Sequence, residues 1–138
     1  MRRKVETEVI VSSDIPAQLL RYCPDLAQWP AKWAYDDPDL VVGERIVQYF
    51  TPFLLHLLEQ KLAPKTLRKH RDNMWLLGGE VIRQRYESAA TAKKSIDALI
   101  HEMVQDDGGP FMYPRVTEDE QESFDATCRK YYRFLHPK

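Results

Sequence analysis

The sequence predicts an all-α fold, a compact bundle of four to five helices carrying an extended, proline-containing N-terminal arm. Three observations lead there. Beyond residue 37, apolar residues recur at spacings of three and four, the period of a helix with one buried face. Several of these segments open on helix-start signatures: Asp37-Pro38, Thr51-Pro52, Pro64 and Thr117-Glu118-Asp119-Glu120. With 138 residues, 43% of them hydrophobic, the chain has the length of one domain and enough apolar mass for one sizeable core.

Residues 1–36 read as the arm. Pro16, Pro24 and Pro30, followed by Pro38, stand too close together for a long helix to form between them. Val5, Thr7, Val9 and Val11 alternate with Glu6, Glu8 and Ile10, so a short strand is expected at residues 4–12. Such a strand would lie on the domain, pair with a second copy or stay unpaired. Trp29, Trp33 and Tyr35 then place three large aromatics within seven residues. They either anchor the arm on the helical core or form an exposed docking patch for a protein partner or a homodimer.

Residues 37–138 read as the helical domain. Leu40, Val41, Ile46, Val47 and Phe50 make the first stripe, and Pro52 predicts either a kink or a new helix. Phe53, Leu54, Leu57, Leu58 and Leu62 continue up to Pro64, which opens the next helix. There Leu67, Met74 and Val81 fall on one side, with Lys65, Lys69 and Arg83 nearly opposite. Gly78-Gly79 predicts a bend or a close backbone approach within it. A further helix is expected from Thr91 to Gln105, on Ile96, Leu99, Ile100, Met103 and Val104. The last begins at the capping box Thr117-x-x-Glu120 and buries Phe124, Cys128, Tyr131 and Leu135.

Several chemistries lack their residues. Cys23 and Cys128 are far apart and form no CxxC pair, so reduced thiols are expected, with Cys128 acting as a small buried hydrophobe. His101-Glu102-Met103-Val104-Gln105 resembles HExxH, but Gln105 occupies the place of the second imidazole, and no metal site is expected. No glycine pair is followed by the Lys-Ser/Thr of a phosphate-binding loop, and no G-x-S-x-G elbow occurs. No cofactor is expected. No 18-residue apolar run exists, and the basic start turns acidic within a few residues, so a cytoplasmic protein without a membrane partner is the expectation.

The formal net charge of -1 conceals a segregation. Residues 61–94 carry nine basic side chains against three acidic, whereas residues 95–138 carry five against nine. A concentrated basic helix is what contact with a phosphate backbone requires; the competing reading is a solvated face covered by the chain's own acidic segments. The candidate contacts are Lys65, Thr66, Arg68, Lys69, Arg71 and Arg83.

The stretch Leu62-Ala63-Pro64-Lys65-Thr66-Leu67-Arg68-Lys69-His70-Arg71, preceded by the helical segment from Phe50 to Glu59, resembles the SAM-like core-binding domain of phage integrases and other tyrosine recombinases. Those are helical units that clasp DNA, and one of their helices opens on Leu-Ser-Pro-x-Thr. Here Ala63 stands in place of the capping serine. The likeness covers about residues 43–105 and implies that Lys65, Thr66, Arg68 and Lys69 face the phosphates, with Leu67 and Met74 towards the core. Recombinase catalysis is not implied, because no histidine is followed three residues later by arginine. The expectation is therefore a non-enzymatic accessory module on double-stranded DNA, such as a mobile element would carry. The alternative is an adaptor, inhibitor or antitoxin-like protein acting through Trp29, Trp33 and Tyr35.

Overall fold

Pro16, Pro30 and Pro38 each stand at a helix N-cap or within its first two residues, where a missing N–H costs nothing. Closely spaced prolines therefore punctuate short helices instead of forbidding them. The computed structural model describes residues 15–138, and the chain falls into two compact units, Met1–Lys61 and Leu62–Lys138. The strand expected at residues 4–12 lies outside the described residues. The boundary between them falls just ahead of Pro64.

In the first unit, α1 (Ala17–Tyr22), a 3-10 turn (Leu26–Gln28) and α2 (Trp29–Trp33) lead into the long α3 (Pro38–Glu59). The described part of the expected arm is thus folded into helical turns and is not extended. Ile46, Val47, Phe50, Phe53, Leu54 and Leu57 of α3 are buried, as are Leu19, Leu26, Trp29 and Trp33. α2 lies close on α3: a Cβ on Gly43 would come within 2.8 Å of the Cα of Pro30, so only glycine admits this approach. Trp33 meets Phe50 edge-on with centroids 6.4 Å apart, and Trp29 lies 5.6 Å from Trp33.

Pro52 neither ends α3 nor starts a new helix. Pro52 and Gln48 are both exposed, so water can solvate the carbonyl that loses its donor. The Thr51 hydroxyl donates back to the Val47 carbonyl (2.8 Å) instead of capping. At the start of the helix, Pro38 occupies the first position as expected, but Asp37 makes no side-chain cap. Asp39 instead closes the turn ahead of the helix, its carboxylate accepting from the backbone N–H groups of Tyr35 (3.0 Å) and Asp36 (3.2 Å).

The second unit comprises α4 (Pro64–Arg85), α5 (Ala89–Ala92), α6 (Ile96–Met103) and α7 (Glu118–Leu135). α4 runs unbroken through Gly78-Gly79 and buries Met74, Leu77, Val81 and Ile82; Leu99, Ile100, Val104, Phe124, Cys128 and Tyr131 are buried in the same unit. The helix expected from Thr91 to Gln105 is divided, because Ser95 leaves the helical conformation and its hydroxyl accepts from the Ala98 N–H (3.1 Å) as a new N-cap. The capping box of α7 is complete: Thr117 accepts from the Glu120 N–H (3.0 Å) and Glu120 from the Thr117 N–H (2.8 Å). Among the described residues the one isolated β-bridge joins Gln105 to Gly108. Next to it, a Cβ on Gly109 would fall 2.5 Å from the Cys128 sulfur, so the loop backbone rests on α7. Among the described residues no helix is long and apolar enough to cross a membrane.

Candidate nucleic-acid interface

α4 begins without a side-chain cap and without an acidic residue in its first turn, in contrast to α7. Proline at its first position has no N–H to leave unpaired, but the following amides and the positive end of the helix dipole remain open to an anion. Lys65, Arg68 and Lys69 lie three and four residues apart on one face of these first turns, and all three are exposed. Among the described residues no carboxylate forms an ion pair with any of them. Thr66 is half-buried at the edge of the same turn.

The remaining predicted contacts stand apart from this group. Arg71 is half-buried, and its guanidinium pairs with Asp72 at 3.0 Å. Arg83 lies 18 residues from Lys65, about 27 Å along the axis. Its charge is already balanced by Glu80 (3.3 Å) and Glu87 (3.7 Å). Arg85 donates to the Ala92 carbonyl at the end of α5 (2.9 Å). The basic excess of residues 61–94 is thus partly neutralised at the far end of α4 and concentrated at its start.

α7 runs antiparallel to α4, since His70 meets Thr127 while Asn73 meets both Thr127 and Ser123. The C-terminal half of α7 therefore lies beside the start of α4. It contributes a cation that segment counting does not reveal: Lys130 is near enough to His70 for its field to act there together with that of Lys69. Burial first, then Lys130 and Lys69, hold the His70 imidazole below its ordinary value. A neutral ring fits its contacts. Asn73 donates to the Thr127 hydroxyl (2.9 Å), which lies 2.7 Å from Nδ1 of His70 and also reaches the Ser123 carbonyl as a donor (3.5 Å). This buried polar chain fixes the rotation of α7 against the start of α4.

Trp29 and Trp33 do not form a docking patch. They are 2% and 5% exposed and belong to the core of the first unit, because two indoles bury more apolar area than the arm could leave in water; Tyr35 alone of the three is exposed. Cys128 is buried, and desolvation pushes its thiol well above the usual range, so no thiolate nucleophile is available there. His101 approaches Asp97 (3.6 Å) and stacks edge-on against His136. Among the described residues no group of three or more His, Cys, Asp or Glu side chains could hold a metal ion. No known protein family, curated protein or solved structure matches the chain, so the reading of this surface rests on its geometry and chemistry.

Proposed function

We propose that this protein is a non-enzymatic DNA-associated accessory module that grips the phosphate backbone with the start of α4. One observation carries the reading: three exposed cations, Lys65, Arg68 and Lys69, converge without carboxylate partners among the described residues on a helix N-terminus that lacks a cap. Lys130 adds to the same field. Backbone amides and the helix dipole favour phosphate oxygens at such a point, and each phosphate neutralised releases counterions from the duplex. The likeness of residues 62–71 to integrase core-binding domains supports the same face and suggests a role alongside a mobile element. Arg71 and Arg83 are left out of the contact set because their charges are already paired.

Fluorescence polarisation with a generic duplex at several salt concentrations tests the proposal. The wild type is expected to bind in the micromolar range or tighter, with affinity falling steeply as salt rises. Substituting Lys65, Arg68 and Lys69 together by glutamine should weaken binding at least tenfold. It should also reduce the slope of log affinity against log salt by about 3, close to one unit per lost contact. Unchanged affinity in a variant with a wild-type circular dichroism spectrum would refute the proposal.

A further inference from the structure

The loop between α6 and α7 presents two aromatic rings to solvent. Phe111 is 74% exposed and Tyr113 41%, with ring centroids 6.1 Å apart and planes inclined at 57°. An exposed phenylalanine is ordinarily free to fold back onto the surface; here the backbone on either side of it is fixed. The Gln121 side chain accepts from the N–H groups of Met112 (2.6 Å) and Tyr113 (3.0 Å), and its amide donates to the Pro110 carbonyl (3.1 Å). Asp125 accepts from the Gly109 N–H (3.1 Å), and the intervening Met112 is buried as an anchor. The rings therefore stand on a preorganised backbone, which spares a partner the entropy of ordering the loop.

Beside the rings lies an open depression of about 560 Å³ lined by residues 113–120. Its charge is one-sided. Arg115, the one basic residue of the lining, is committed to Glu80 (3.3 Å). Glu120 accepts from the Thr117 N–H, while Glu118 and Asp119 are exposed. Aromatic faces next to carboxylates that pair with no side-chain cation among the described residues attract a cation carried on an apolar stem, through cation–π contact and charge together.

We propose that the Phe111–Tyr113 platform and the adjoining Glu118 and Asp119 form a docking surface for a protein segment bearing arginine or lysine side chains. The charge complementarity of the depression selects that partner over an acidic or purely apolar one. This surface is separate from the basic start of α4, so the protein would join a basic protein segment to whatever α4 holds.

The test uses the full chain and a fluorescent peptide of alternating arginine and glycine, with a glutamate–glycine peptide as control. The arginine peptide is expected to bind and the glutamate peptide not. Because Phe111 and Tyr113 are exposed, the double variant Phe111→Ala/Tyr113→Ala should retain the wild-type circular dichroism spectrum yet bind the arginine peptide at least fivefold more weakly. Glu118→Gln/Asp119→Asn should weaken it comparably. The Lys65/Arg68/Lys69 glutamine variant should bind it at least as well as the wild type, which separates this surface from the DNA-facing one. Equal peptide affinity in the aromatic variant would overturn the proposal. So would concentration-dependent dimerisation by light scattering that vanishes in that variant, since the occupant would then be a second copy.

Discussion

Nη2 of Arg115 lies 3.3 Å from each carboxylate oxygen of Glu80, a side chain buried on α4, while the guanidinium still reaches solvent. The pair ties the loop ahead of α7 to the C-terminal third of α4. Arg83 approaches the same carboxylate from within the helix at 3.3 Å.

The two ends of this contact are unequal. Removing Arg115 leaves a buried carboxylate with fewer donors, whereas removing the charge of Glu80 releases two arginines that water can solvate. Arg115→Ala is expected to cost about 1–3 kcal/mol in urea unfolding. Glu80→Gln, which retains an acceptor, should cost less. A double-mutant cycle should show the two changes to be non-additive.

His70 makes stability depend on pH in a defined direction. Its folded-state proton affinity lies below the ordinary value of 6.5, chiefly through burial. The unfolded chain therefore takes up a proton first on acidification, and the stabilisation from a neutral His70 is full above 6.5 and is lost progressively as pH falls below it. Urea unfolding of wild type and His70→Gln at about pH 8 and about pH 5 should show the difference between them shrinking on the acidic side. A difference that grew on acidification would contradict the neutral, Thr127-bonded ring.

Gly43→Ala sets two effects against each other. In an exposed helix interior the exchange would gain up to about 1 kcal/mol in propensity. Here the new methyl would sit 2.8 Å from the backbone Cα of Pro30, which cannot turn aside as a flexible side chain would. Overpacking of that kind costs about 1–3 kcal/mol, so net destabilisation is expected and a lowered melting temperature checks it.

Local signals in the sequence were the readable ones. The capping box Thr117–Glu120 and the proline start of α4 each depend on a few consecutive residues and occur where those residues stand. Neutralisation of Arg83 by Glu80 and Glu87 is equally local, at spacings of three and four, but a sum of charge over a segment hides it, since it depends on helical neighbours. Ser95 was a readable cap hidden within an apolar stripe that continued past it. Lys130 joins the start of α4 only through antiparallel packing across some sixty residues of chain. The hold of Gln121 on the aromatic loop is likewise tertiary, and an exposed phenylalanine has no periodicity to betray it. The prolines before residue 40 misled because a proline forbids a helix interior but suits a first turn.

Cys23 and Cys128 are both buried, and Cys128 is also hard to ionise. Neither native sulfur is therefore open to maleimide chemistry in the folded state. A single cysteine introduced on the exposed start of α4 or at the tip of the aromatic loop would be the preferred point of attachment for a dye or spin label. Each surface can then be followed separately in an otherwise unaltered chain.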